Sequence, residues 1–553
     1  MTMKKMMALL CAGALTVSGL SACGSSAPET KPAETEAAGE VTAPTEAAGT
    51  DNAEVTQSAG GTMKIGSIQS SATLDPTNGY DYWYMLRYGV CETLLQFDEN
   101  MVPSGWLVED DYTVSEDGMT WTFHIKDGIT FSNGNPFDAA AAKATIERAQ
   151  EMVGAAGAAF PAQSIEADGN TLTITTEKPI PTMPYLLADP VFVMYDTSVD
   201  LSNAIEEGVI GTGPFVFTAF DPISFNTSVV KNENYWGGDV KLDGIDFVIN
   251  TDPTALSMAL SNSEVDAAYG LDATTIKDFD GLADFRIELT SSMRTDFAFL
   301  NQSEGRPLQD EVLRQAIIRA CDRDLYCATI LNNMFVAGKT PLTAALPYGF
   351  DKITDPNAYD LAGANALLDE AGYKDIDGDG FRETPAGEPL VLTWVSYTAR
   401  AELDSITQAA QIDLTDIGIN INLSNRDQSS AWNALTAGDF DLCCMSISMA
   451  SAGDPENSLR SYFATHTEAN NNYNAYGYSS EAVDALLEEL SSEFDKSRRA
   501  EIITDIQTEI VNDSAVWNLC YPTINFVVKS NTSGVISHPC DYYWVDVNTC
   551  FTE

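Results

Sequence analysis

Residues 390–447 constrain the fold more than any other part of the chain. Residues 390–395 form a β-rich run, and Leu403, Ile406, Ala410, Leu414 and Ile417 then recur at helical spacing up to Gly418. Ile419, Ile421 and Leu423 alternate as a strand should, Trp432 and Leu435 mark a short helix, and Gly438-Asp439 turns into a strand predicted over 440–447. Glycine is a natural stop after such a helix because it adopts the left-handed conformation without strain. Strand–helix–strand–helix–strand at this spacing predicts an α/β fold, an open sheet covered by helices. Sheets of this kind take ligands at the carboxyl ends of their strands, often in a cleft between domains.

The earlier half has another rhythm. Residues 63–68 read as a strand, followed by the aromatic cluster Tyr80, Tyr82, Trp83 and Tyr84. Met119, Trp121, Phe123 and Ile125 alternate with polar residues, Asn133-Gly134 signals a turn, and Pro136-Phe137-Asp138 leads into an Ala-rich helix from about Ala139 to Met152. With the β-rich run Thr171–Thr176, this stretch predicts a compact α+β subdomain.

With 81 acidic against 29 basic residues, the chain carries a formal net charge of −52. That excludes nucleic acid and anionic lipid as partners, since both require Lys and Arg. It is compatible with cationic or zwitterionic ligands, although a solvated acidic surface that keeps an exported protein soluble explains it better. Three histidines (His124, His466, His538) lack zinc spacing, and no Gly-x-Ser-x-Gly elbow or phosphate loop occurs. No catalytic residue is assigned, and a surface-anchored hydrolase remains only as an alternative.

The N-terminus carries an address. Lys4 and Lys5 precede an uncharged run, Met6 to Leu20, too short to span a bilayer, and Leu20-Ser21-Ala22-Cys23 closes it. This resembles the lipobox of bacterial lipoproteins, which implies a signal peptide over 1–22 and lipidation of Cys23. Residues 23–61 lack aromatics and are rich in Ala, Glu, Thr, Pro and Gly, the composition of a disordered tether on the order of 35 Å from end to end. Cys11 and Cys23 aside, eight cysteines remain without metal-ligand spacing. Export permits disulfides, with Cys540–Cys550 the nearest local pair; a reduced setting would remove the need.

Several phrases combine along the body. They are Cys91-Glu92-Thr93-Leu94-Leu95, Ser115-Glu116-Asp117-Gly118-Met119-Thr120-Trp121-Thr122-Phe123, Phe131-Ser132-Asn133-Gly134, Gly211-Thr212-Gly213-Pro214-Phe215, Asn234-Tyr235-Trp236-Gly237-Gly238, Val312-Leu313-Arg314-Gln315-Ala316-Ile317 and Leu367-Leu368-Asp369-Glu370-Ala371-Gly372-Tyr373. In this order they resemble the peptide/nickel family (family 5) of extracytoplasmic solute-binding proteins that serve ABC importers. The resemblance covers essentially everything from Met63 onward. It implies a two-lobed, periplasmic-binding-protein-like Venus flytrap with an inserted α+β subdomain. The first lobe would comprise residues 62–95, 205–295 and 520–553, with residues 96–204 inserted, and the second lobe residues 296–519. The implied protein is a monomer held to the membrane by lipid on Cys23. It captures a peptide or peptide-like solute, or alternatively a nickel or other metal chelate, and delivers it to a permease.

The family comparison also directs attention to particular residues. Peptide-binding members place an Asp four residues before a Pro against the peptide amine; here that position falls on Ser451, with Asp454-Pro455 following as a turn or helix cap. Arg400 lies near an Arg that dipeptide binders use, and Arg294 and Arg87 are further cationic candidates for a ligand carboxylate. The candidate ligand-binding set is Tyr80, Tyr82, Trp83, Arg294, Tyr397, Arg400, Trp432, Met449 and Ser451. His466 lies near a His of nickel-chelate members, whereas their chelate-binding Arg is replaced by the Gly154–Ala159 run. Asp375, Asp377, Asp379 and Glu383 fit positions one, three, five and nine of a calcium loop, with Ala386 at twelve. Structural Ca²⁺ and a solvated Asp/Gly turn are both open readings, and no other cofactor is required.

Overall fold

The computed structural model describes residues 57–58, 60–152, 160–467, 470 and 472–552. Cys23, the signal-like segment and the tether before residue 57 lie outside the described residues, as do residues 153–159. Among the described residues no helix is long and apolar enough to cross a membrane.

A 12-stranded mixed sheet runs through both lobes. Val516–Lys529 is the strand on which they meet. Its first half pairs antiparallel with Arg294–Leu300, Phe299 opposite Val516 and Asp296 opposite Cys520. Its second half pairs with Ala267–Tyr269 and with Phe285–Ser291, Leu289 opposite Asn525. The strand is buried almost throughout, so it reads as a continuous apolar run without alternation, as a strand covered on both faces must. Pro522 sits where the pairing passes from one lobe to the other. It has no N–H to give, and its carbonyl accepts from the N–H (3.2 Å) and hydroxyl (2.6 Å) of Ser292. Ser292 and Met293 in turn separate Phe285–Ser291 from Arg294–Leu300. The two chain crossings therefore break side by side.

On one side of the crossing lie Leu442–Ser448, Val391–Tyr397 and Asn420–Arg426, the last two pairs parallel. Helix Ala401–Asp416 buries Leu403, Ile406, Ala410 and Leu414 on this sheet, and Gly418 follows at φ +81°. The predicted strand over 440–447 begins only at Leu442, because Asp441 is part of the turn and its carboxylate accepts from Thr393 N–H at 2.8 Å. On the other side Thr62–Ser67, Gly244–Ile249, Thr227–Lys231 and Phe215–Phe220 complete the sheet. A separate four-stranded antiparallel sheet carries Thr120–His124 and Thr171–Thr176 and packs against helix Ala139–Met152, giving the inserted α+β unit.

The recurrent phrases are mostly scaffold. Glu92 is fully buried and accepts from Tyr235 Oη (2.5 Å) and Trp236 Nε1 (2.9 Å), so two phrases far apart in sequence close on one carboxyl. Gly211 and Gly213 are required by close approach rather than by left-handed backbone: a Cβ would lie 2.0 Å from the Val90 carbonyl oxygen or 2.4 Å from that of Gly89. Arg314 donates to the carbonyls of Leu308, Gln309, Asp513 and Ser514, tying two helix ends together.

Of the two open readings the structure shows the reduced one: Cys540 and Cys550 are unpaired, and all eight described cysteines are free and buried. Cys540 Sγ lies 2.9 Å from His538 Nδ1, while Cys550 belongs to a separate small strand, Cys550–Thr552.

Candidate functional site

Between the lobes, beside the two crossings, lies a cleft of about 810 Å³. One wall is lined by Trp83, Arg87, Tyr269, Asp541 and Tyr542, and the other by Arg294, Tyr397, Arg400 and Glu402; Asn525 of the crossing strand also lines it. Aromatic and apolar walls with a few convergent charges are the general make-up of a small-molecule site.

The first wall is rigid. Arg87 is 2% exposed and donates through Nε to the Asp541 carbonyl (2.8 Å) and through Nη2 to the Asp541 carboxylate (2.6 Å). Tyr269 Oη and Trp544 Nε1 donate to the same carboxylate. These contacts hold Asp541 at φ +60°, a backbone region that Asp tolerates better than most residues. The guanidinium lies 4.8 Å from the Trp544 ring centre and 4.9 Å from that of Tyr84. Its Nη1 is buried and has no partner among the described residues.

The second wall carries the free positive charge. Arg294 donates through Nη1 to the Ser446 carbonyl at 2.8 Å and forms no ion pair among the described residues. Burial, and then the like charge of Arg400, hold its guanidinium below the ordinary range. Arg400, preceding helix Ala401–Asp416, lies 3.7 Å from Glu402, a loose pair. Two arginines thus face the cleft, with the Glu402 carboxylate loosely paired to Arg400.

Of the candidate residues, Trp83, Arg294, Tyr397 and Arg400 line the cleft together. Tyr80, 69% exposed, extends the aromatic surface outward with its ring centre 5.4 Å from that of Trp83, whereas Tyr82 turns inward and is buried. Neither of these two lines the cleft, and three further candidates do not line it either. Met449, in the turn just after strand Leu442–Ser448, is fully buried and its N–H donates to the Met293 carbonyl. Ser451 bonds across the lobes through its carbonyl, which accepts from Tyr542 Oη at 2.6 Å. Trp432 lies one turn beyond the cleft-lining Gln428 and packs at 5.5 Å on Tyr473.

Asp454 is occupied elsewhere: its carboxylate accepts from Glu456 N–H (2.9 Å) and from Arg499 (2.7 Å) in a buried pair. His466 is exposed, with Nδ1 2.8 Å from Asn472 Oδ1. Asp375, Asp377 and Glu383 place carboxylate oxygens within 4.8 Å of one another, but Asp379 is not among them. Its carboxylate accepts from Phe381 N–H, and Asp375 accepts from Gly378 and Gly380, the bonds of a closed turn.

Sequence reasoning missed Tyr269, Glu402, Asp541 and Tyr542. The dense run Asp541-Tyr542-Tyr543-Trp544 was a signal, since adjacent aromatics beside an acid near a chain end need a reason to be there. Glu402 had none, being one acidic residue among 81.

Residues 102–470 match the family described as "Bacterial extracellular solute-binding proteins, family 5 Middle". The chain is 25% identical over 459 residues to a nickel-binding periplasmic protein of Escherichia coli, covering 80% of this chain and 84% of that protein. It is 26% identical over 472 residues to a glutathione-binding protein of Pectobacterium atrosepticum, covering 82% and 87%. Among solved structures, that of a nickel ABC transporter protein from Bacillus halodurans superposes with a TM-score of 0.76 at 27% identity, covering 89% of this chain and all of that one.

Proposed function

Because the chain belongs to family 5 of the bacterial extracellular solute-binding proteins, we propose that it is a lipid-anchored receptor for an anionic peptide or peptide-like solute. It binds rather than converts its ligand and presents it to the permease of an ABC importer. The observation that carries the ligand reading is the Arg294–Arg400 pair, two guanidiniums on one wall of a cleft in a chain with a formal net charge of −52. A carboxylate between them would gain charge-assisted hydrogen bonds in a partly desolvated site. Trp83, Tyr80 and Tyr542 on the opposite wall offer aromatic faces to the rest of the solute.

We assign residues 62–95, 205–295 and 520–553, with 96–204 inserted, to the first lobe and 296–519 to the second. Hinge motion at Ser292-Met293 and Pro522 would close the walls on the ligand, and the closed form is what the permease would recognise. A metal chelate is the second reading, favoured by nickel-related proteins among the relatives. Carboxylates of a chelate would use the same arginines.

Native mass spectrometry of gently purified protein, with metal analysis of the same sample, separates the two solutes. For the solute so identified, Arg294→Ala and Arg400→Ala should each weaken binding by about 2–5 kcal/mol, roughly 30-fold or more. Unchanged affinity in both variants would end the anionic-ligand reading. Cys23→Ser should release the protein from the membrane while preserving affinity; a loss of affinity would show that anchor and receptor are not separable.

A further inference from the structure

The cleft wall that carries Arg294 and Arg400 holds a second acid behind them. Asp296 lies two residues after Arg294 on the strand Arg294–Leu300, hence on the same face. It is fully buried. Its Oδ2 accepts only a thiol, Cys520 Sγ at 3.4 Å, and its Oδ1 has no partner among the described residues. Ser446, directly opposite on the neighbouring strand, has a buried hydroxyl that likewise lacks one. A carboxylate so sparsely hydrogen-bonded holds a negative charge at high cost.

Every element packed around Asp296 contributes a defined group. Arg294 comes from its own strand, Ser446 and Cys444 from Leu442–Ser448, Cys520 from the crossing strand, Tyr397 from Val391–Tyr397, and Arg400 and Glu402 from the start of the next helix. Burial pushes the Cys444 and Cys520 thiols and the Tyr397 phenol up, so these three stay neutral at ordinary pH. The charges that matter are therefore Arg294, Arg400, Glu402 and Asp296 itself.

We propose that Asp296 sets the net charge for which this wall is selective, and so makes it a subsite for a single ligand carboxylate whose affinity depends on pH. Protonated, Asp296 leaves two guanidiniums against Glu402 alone, one positive charge in excess, which one carboxylate neutralises. Ionised, it cancels that excess and the attraction falls. Burial first, and then the charge of Glu402, push the Asp296 carboxyl up to about 7, with the Ser446 hydroxyl, then Arg400 and Arg294, acting in the opposite direction. The acid form binds the anion better, so binding takes up a proton and affinity declines as pH rises through this value. Arginine alone would give no such dependence, because it stays charged throughout.

The inference rests on the cleft reading above, and the test separates the two. Acetate serves as the probe, its dissociation constant read from thermal-shift titrations at pH 6 and pH 8 against sodium chloride of equal ionic strength. For the parent chain, affinity should fall from pH 6 to pH 8 by up to about tenfold, the ratio of protonated fractions for a group titrating near 7 and the limit reached when only the acid form binds. Asp296→Asn should abolish that difference. Glu402→Gln, a second variant that leaves Asp296 in place, should move the midpoint to lower pH, because it removes the like charge. A pH difference that survives in Asp296→Asn, or a midpoint unmoved in Glu402→Gln, overturns the proposal while leaving the cleft reading intact. Acetate binding that is undiminished in Arg294→Ala overturns the cleft reading as well.

Discussion

Arg499→Ala is expected to lower the unfolding free energy by about 3–5 kcal/mol. Arg499 lies on helix Lys496–Asn512 with its side chain 6% exposed, and it pairs with Asp454, 4% exposed, at 2.7 Å and with Glu456 at 3.2 Å. Its other terminal nitrogen donates to the carbonyls of Leu490 (2.7 Å) and Glu493 (3.1 Å). One guanidinium therefore joins the end of helix Glu481–Leu490, the start of Glu456–Phe463 and its own helix. Truncation leaves Asp454 charged in the interior with no counter-ion, and that desolvation cost is what the variant reports. Urea unfolding checks it. The double variant Asp454→Asn with Arg499→Met should recover most of the loss, since the most deeply buried charges are gone and Glu456 keeps Arg460 at 3.8 Å. A loss under about 1 kcal/mol for Arg499→Ala would mean that water reaches Asp454 and that the pair behaves as a surface bridge.

Trp517→Ala should cost a similar 3–5 kcal/mol, roughly, by opening a large cavity. Trp517 is fully buried on the crossing strand, with its ring centre 5.5 Å from that of Trp394. Its indole Nε1 is buried and has no partner among the described residues. Trp517→Phe should therefore be mild, about 1.5 kcal/mol or less, because it keeps most of the apolar volume and sheds an unsatisfied donor. The strand belongs to both lobes, so the alanine variant should also weaken ligand binding, through the hinge rather than through contact. Urea midpoints for the two variants and one binding isotherm measure this. Equal losses for alanine and phenylalanine would show that the donor, not the cavity, is what the structure depends on.

The second lobe was legible because its hydrophobic periodicity is local. Leu403, Ile406, Ala410 and Leu414 share a face whatever they pack on, and Gly418 ends that pattern by its own conformational freedom. The scaffold phrases identified the family, but their physical purpose did not show in the sequence. Nothing near Cys91 announces that Glu92 will receive hydrogen bonds from Tyr235 and Trp236, more than 140 residues away. The site was legible only in part. Arg294 and Arg400 stood out as cations in an acidic chain, and Trp83 belonged to an aromatic cluster. Met449, Ser451 and Trp432 were chosen by proximity along the chain to recognisable segments, and a shift of a single residue on a strand, or one turn on a helix, exchanges cleft for core.

The sequence by itself determined the class of protein: an α/β body with an inserted α+β unit, its family, and the residue types available for a carboxylate. These follow from local patterning and from ordered phrases, which need no knowledge of distant contacts. Tertiary structure alone decided which charges remain free in the cleft. Arg87 is neutralised by Asp541, 454 residues away in sequence, and Asp454 by Arg499, 45 residues away, whereas Arg294 keeps its charge for the cleft. The electrostatic worth of a side chain depends on its burial and on the partner within a few ångströms of it, and chain order records neither.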